Sequence, residues 1–123
     1  MTVKALKRIT ARFYRTAAGN RPVRDWLLGL AEEDCKIVGR DIARCEFGWP
    51  VGMPVSRAIG KKGLREVRST IRGGKVEARV IFGIKGADMI LLHGHEKKPS
   101  QQQVDLETAE TRWAEYKKRK GKS

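Results

Sequence analysis

The polar positions between Gly63 and Lys98 carry Glu66, Arg68, Arg79, His93, His95 and Lys97. These residue types can grip a phosphodiester and move protons around it. Cations neutralise charge building on the phosphorane, while carboxylate and imidazole groups exchange protons with the attacking and leaving oxygens. The reaction this set suits is metal-free cleavage, in which a base activates a ribose 2′-OH and an acid protonates the leaving 5′-oxygen. His93 and His95 share a strand parity and are the chain's only histidines. No third ligand is evident beside them, so no metal and no cofactor are expected, and a titrating imidazole beside phosphate is the better use of His95. The sequence lacks a phosphate-binding Gly-x-x-x-x-Gly-Lys-Ser/Thr loop, because Gly60-Lys61-Lys62-Gly63 is too short. It also lacks the acidic cluster of a two-metal nuclease.

These side chains can act together only if separate strands bring them to one face. Three short strands fit the pattern: Leu64-Arg65-Glu66-Val67-Arg68, then Glu77-Ala78-Arg79-Val80-Ile81-Phe82, then Met89 onward to Lys98. Side chains alternate across a strand, so Glu66, Arg68, Thr70 and Arg72 share one side and Lys75, Glu77 and Arg79 share another. Gly73-Gly74 predicts a two-residue primed turn, and Lys85-Gly86-Ala87-Asp88 a second hairpin. Helices covering one face would bury Val76, Ala78, Val80, Phe82, Ile84, Ile90 and Leu92. The opposite face would then show Arg79, Leu91, His93, His95 and Lys97.

Upstream, the basic segment from Val3 to Thr16, with Lys4, Lys7, Arg8, Arg12 and Arg15, predicts an opening strand in which Ile9, Ala11 and Phe13 share a side. Pro22 suits the first turn of a helix carrying Val23, Trp26, Leu27 and Leu30 at helical spacing. A second helix begins at Glu32-Glu33-Asp34, where the helix dipole favours negative charge, and stops at Gly48-Trp49-Pro50. Cys35 and Cys45 fall within it, about 15 Å apart along a regular helix and too far for a disulfide. Residues 49–63 read as a loop. Beyond Pro99, Ser100 and Gln103 predict a capping box, and Leu106, Ala109, Trp113 and Tyr116 share a helix face. The layout is α+β: a small antiparallel sheet, two N-terminal helices packed on one face, and a C-terminal helix.

Length allows one domain over residues 1–123, with a basic flexible tail at about 117–123. Lys and Arg number 27 against 14 Asp and Glu, a net charge of +13, which favours a polyanion partner. No run of about 18 apolar residues could cross a bilayer, and no apolar core of signal-peptide length follows the basic start. A cytoplasmic location is expected.

Several short motifs, in order, resemble the RelE/ParE superfamily of type II toxin–antitoxin toxins, and within it the HigB-type, phage-derived branch. They are Pro22-Val23-x-x-Trp26-Leu27, Gly63-Leu64-x-Glu66-Val67-Arg68, Arg79-Val80-Ile81-Phe82 and Leu91-Leu92-His93-Gly94-His95-Glu96-Lys97-Lys98-Pro99, followed by a helix containing Ala109 and Arg112. The resemblance implies a RelE-like fold and a ribosome-dependent mRNA endonuclease that inhibits translation. It further implies a co-encoded antitoxin, often a helix-turn-helix protein. By position it places Arg68, Arg79 and Lys97 around the scissile phosphate and Lys61 and Lys62 in an RNA-contacting basic loop. Arg65 and Lys98 are further candidate RNA contacts by their charge, Lys98 standing just before Pro99 and the last helix. Glu66 is the candidate general base, and His95 and Lys97 are both candidates for the acid. His95 stands where the family has an aromatic, and Tyr116 lies inside the last helix where some relatives have a terminal Tyr or His. Two other readings fit the same charge: a ParE-like gyrase inhibitor and a non-catalytic nucleic-acid-binding protein.

Overall fold

The computed structural model describes residues 6–50, 52 and 55–120. Of the features read from sequence, Val3, Lys4 and the tail from Gly121 to Ser123 lie outside the described residues. The elements run β1 (Thr10–Phe13), α1 (Pro22–Leu28), α2 (Glu32–Gly48), β2 (Ser56–Ile59), β3 (Leu64–Ile71), β4 (Val76–Lys85), β5 (Asp88–Glu96) and α3 (Gln102–Lys120). The architecture is α+β, as expected, with one five-stranded sheet in the order β1-β5-β4-β3-β2. Two details depart from expectation. β1 pairs with β5 in parallel, so the sheet is mixed. The stretch read as a loop contains β2, antiparallel to β3 from Ser56 opposite Val67 to Ile59 opposite Leu64.

The sheet is covered on both faces. α1 and α2 lie on one side, where Val23, Val38, Ile42 and Cys45 meet Val67, Ala78, Val80, Phe82, Met89 and Leu91. α3 lies on the other, where Ala109 and Trp113 meet Leu64, Ile81, Ile90 and Leu92. This corrects the expected facing of β5. Ile90 and Leu92 sit under α3 and Leu91 is in the core beneath α1 and α2, each on the side opposite to that read from sequence. The cause is register: Lys85 pairs with Asp88, which puts Met89 and Leu91 beside Ile84 and Phe82.

A register shift between Ile81 and Phe82 then leaves Leu92 without an opposite residue. A bulge adds one residue to one strand and reverses the facing of all that follow. Odd-numbered residues of β5 therefore point toward α1 and α2 before the bulge and toward α3 after it. Ile81 pairs with His93 and Arg79 with His95, so both imidazoles join the α3 side.

Two glycines let a helix seat directly on the strands. A Cβ at Gly94 would stand 2.4 Å from the Trp26 ring of α1, and one at Gly83 would stand 2.8 Å from the Trp113 ring of α3. Trp49 packs edge-on against Phe82, so Trp26 and Trp49 both serve packing.

The first hairpin differs from the primed two-residue turn. Ile71 pairs with Val76, leaving four residues from Arg72 to Lys75, and Arg72, Gly73 and Gly74 all have positive φ. Arg72 adopts this left-handed conformation while its backbone N–H donates to Asp34 of α2 at 3.1 Å. The second hairpin follows expectation, with Gly86 at φ +61 between paired Lys85 and Asp88. No capping box forms at α3, because a 3-10 turn at Pro99–Gln101 leads in without a side-chain cap. Gln103 instead donates to Glu107 at 3.0 Å. The helix continues through Lys117, Lys118 and Arg119, the first residues of the expected flexible tail. No described helix is long and apolar enough to cross a membrane.

Candidate active site

On the α3 side, β2, β3, β4 and β5 lay four cations and two carboxylates side by side. Register sets Arg57 opposite Glu66, and Arg68 opposite Arg79. Glu66 Oε1 accepts from Arg57 Nε at 2.8 Å and stands 3.4 Å from Arg79 Nη1. Glu77 accepts on one oxygen from Arg68, at 2.8 Å from Nε and 2.6 Å from Nη2. Its other oxygen accepts from Arg79, at 3.1 Å from Nε and 2.8 Å from Nη2. Lys97 Nζ stands 3.9 Å from that same oxygen. Arg68, Arg79 and Lys97, from three separate segments, therefore converge on one carboxylate.

Burial divides these groups by accessibility. Arg79 and Glu66 are almost fully buried, whereas the Lys97 side chain is 43% exposed and that of Arg68 24%. Burial alone would raise the Glu77 carboxyl, but the hydrogen bonds and charge of Arg68 and Arg79 outweigh it and hold its pKa below the ordinary value. Glu77 is thus a fixed anion that orients two guanidiniums, and it is a poor proton acceptor.

His95 extends the set toward α3. Its pKa is lowered chiefly by burial, with the charges of His93 and Arg79 in the same direction and those of Asp105 and Glu66 opposing. Its Nε2 stands 3.5 Å from Asp105 Oδ2, and its Nδ1 is buried without a hydrogen-bond partner. His93 Nε2 is 2.7 Å from Asp105 Oδ1, and the two imidazoles stack at 5.2 Å between centroids.

Two clefts meet at His95 and Asp105. The smaller, about 150 Å³, is floored by Glu66, Arg79 and Ile81 and walled by Arg57 and by Leu106 of α3. The larger, about 700 Å³, opens on the other side beside Trp26, Arg72 and Lys98. Arg68 and Glu77 also border a third hollow, shared with Arg40 and Arg44 of α2.

Of the residues singled out from sequence, Glu66, Arg68, Arg79, His95 and Lys97 come together. Lys98 lines the larger cleft, and Lys61 and Lys62 are exposed on the β2–β3 turn. Arg65 does not join them. Its odd parity on β3 turns it to the opposite face, where Nε donates to Ser56 Oγ at 2.9 Å and the guanidinium covers Trp49. Three participants were missed. Arg57 lay in the supposed loop, and Glu77 was noted only as a polar strand position. Asp105 gave no local signal, because only helix docking carries it to the histidines.

The chemical capacity of this arrangement is anion binding beside proton-exchanging groups. Residues 25–114 match the family model described as "Phage derived protein Gp49-like (DUF891)". No curated protein matches the chain.

Proposed function

The chain belongs to the Gp49-like family of phage-derived proteins, within the RelE/ParE-like toxin superfamily, and from this premise we propose that it is the toxin of a type II toxin–antitoxin module, of the HigB type, acting as a ribosome-dependent mRNA endonuclease. The observation that carries this reading is the convergence of Arg68, Arg79 and Lys97 on Glu77, beside Glu66 and His95. An inhibitor that only binds has no use for a buried carboxylate and a neutral imidazole at the mouth of a cationic cleft.

In the proposed reaction the scissile phosphate displaces Lys97 from its loose contact with Glu77 and takes further charge from Arg68 and Arg79. Donors already oriented cost no reorganisation when the phosphorane forms, which is why Glu77 matters without touching the substrate. Glu66 accepts the 2′-OH proton. His95 is a second acceptor, since burial keeps it neutral. That leaves Lys97 as the better candidate to protonate the 5′-oxygen. The cognate antitoxin would be a helix-turn-helix protein whose acidic segment neutralises this face.

The test is expression of the chain, followed by incubation of the purified protein with translated message in a ribosome-containing extract. Growth arrest and fragments ending in 2′,3′-cyclic phosphate are expected. Lys97→Ala should lower cleavage at least about tenfold with little change in the urea midpoint, because Lys97 is exposed and its contact with Glu77 is long, at 3.9 Å. Intact message with inhibited DNA supercoiling would replace this reading by gyrase inhibition. Intact message with saturable RNA binding would leave a non-catalytic binder.

A further inference from the structure

Asp105 faces two imidazoles at once, and hydrogen bonding satisfies only one of them. His93 is matched: Nε2 donates to Asp105 Oδ1 at 2.7 Å, and Arg112 Nη1 stands 3.4 Å from its Nδ1. His95 is not. If its proton sits on Nδ1, that buried N–H has no acceptor, and the Nε2 lone pair faces a carboxylate oxygen at 3.5 Å. If the proton sits on Nε2, the contact is too long for a good hydrogen bond and Nδ1 is left an unpaired acceptor. Neither tautomer is at rest, and the mismatch is at the junction of two solvent-reaching clefts.

We propose that His93, His95 and Asp105 form a binding site for one divalent transition-metal ion of the zinc class. The ligand atoms of the three residues lie within 4.8 Å of one another. Two donors bound at about 2.0–2.1 Å to a tetrahedral zinc stand roughly 3.3–3.5 Å apart, the separation found between His95 Nε2 and Asp105 Oδ2. Two imidazole nitrogens and one carboxylate, with remaining positions open to water, suit zinc, cobalt or nickel better than calcium or magnesium, which favour all-oxygen shells. The bulge in β5 and the docking of α3 together create the set.

Two features oppose it and set its strength. Arg79 and Arg112 place positive charge nearby, against Glu66 and Asp105. Coordination through His93 Nε2 also breaks its 2.7 Å bond to Asp105 Oδ1, widens that pair and moves the proton to Nδ1, so Arg112 would keep its bond to the Leu92 carbonyl, at 2.7 Å, and lose its contact with Nδ1. Occupancy would withdraw His95 from proton transfer. That consequence rests on the proposed cleavage, whereas binding itself does not.

The test titrates zinc chloride, and separately cobalt chloride, into the untagged full chain, following heat and the visible cobalt absorption. The chain has no other histidine, so the assignment is unambiguous among imidazoles. One equivalent is expected, with a cobalt band of nitrogen–oxygen character. Asp105→Asn and His95→Phe should each weaken binding at least about tenfold, and Arg112→Ala should tighten it. Asp105→Asn is nearly isosteric, and its urea midpoint reports whether the fold is kept. Absence of saturable binding overturns the proposal, as does binding unchanged in both ligand variants. A chain that binds metal on titration but leaves message intact when metal-free would refute the cleavage reading alone.

Discussion

Arg79 lies with 4% of its surface exposed between Glu66 and Glu77, so replacing it takes a buried positive charge from both carboxylates and leaves Glu66 paired with Arg57 and Glu77 with Arg68. Breaking a buried pair by deleting one partner costs about 3–5 kcal/mol, because the remaining charge stays desolvated. Because each carboxylate keeps a second guanidinium, Arg79→Ala should lower the urea-derived stability by about the low end of that range, and it should abolish the proposed cleavage. A variant of unchanged stability would mean that water reaches Glu66 and Glu77 more freely than their burial implies. Glu77 gives a prediction in pH. Its folded-state pKa is depressed below the ordinary 4.5, so it contributes stability that is fully present above that value. The contribution is lost as pH falls through the depressed folded value. Urea midpoints should drop on the acid side of 4.5, and Glu77→Gln should flatten that part of the profile while lowering stability at neutral pH.

Elements hold this geometry through close approach. Gly94 admits the Trp26 ring of α1, and Gly83 admits the Trp113 ring of α3, on opposite faces of the same two central strands. Overpacking a filled core costs typically 1–3 kcal/mol. Gly94→Ala should reach at least that range, since its Cβ would meet the rigid ring at 2.4 Å, and a chemical-denaturation curve reads it directly. It should also disturb His93 and His95, whose positions flank the glycine on β5. The bulge at Leu92 acts on the same strand. Only by resetting parity can β5 place Met89 and Leu91 in one core and both imidazoles on the other side. α2 contributes packing more than chemistry: burial pushes the Cys45 thiol up to about 11, well outside the range of a reactive thiolate.

At the scale of the whole molecule, a net charge of +13 exceeds what the site's carboxylates can compensate. Phosphate contacts release counterions, so under the proposed function RNA affinity should fall steeply with salt in a log–log plot of the binding constant. Lys97→Ala should make that slope shallower by about 1, as expected for one lost phosphate contact. An unaltered slope would remove Lys97 from the RNA-contacting surface. The two-sided cover of the sheet also confines the accessible cationic face to the margin that α3 leaves open.

Chain composition and strand alternation were enough to define the α+β layout, the basic character, and the grouping of Glu66, Arg68 and Arg79, because period-two alternation is a local property of the backbone. The same alternation misassigned Ile90, Leu91 and Leu92, since register and bulges depend on which residues pair across strands. Arg65 went astray for a related reason: a strand has two faces, and charge alone does not say which one a cation takes. Asp105 was invisible because its meeting with His93 and His95 depends on how α3 docks across the sheet. Local order was written in the chain, while every contact between distant segments had to await the packed fold, where burial and excluded volume choose among the arrangements that local pattern permits.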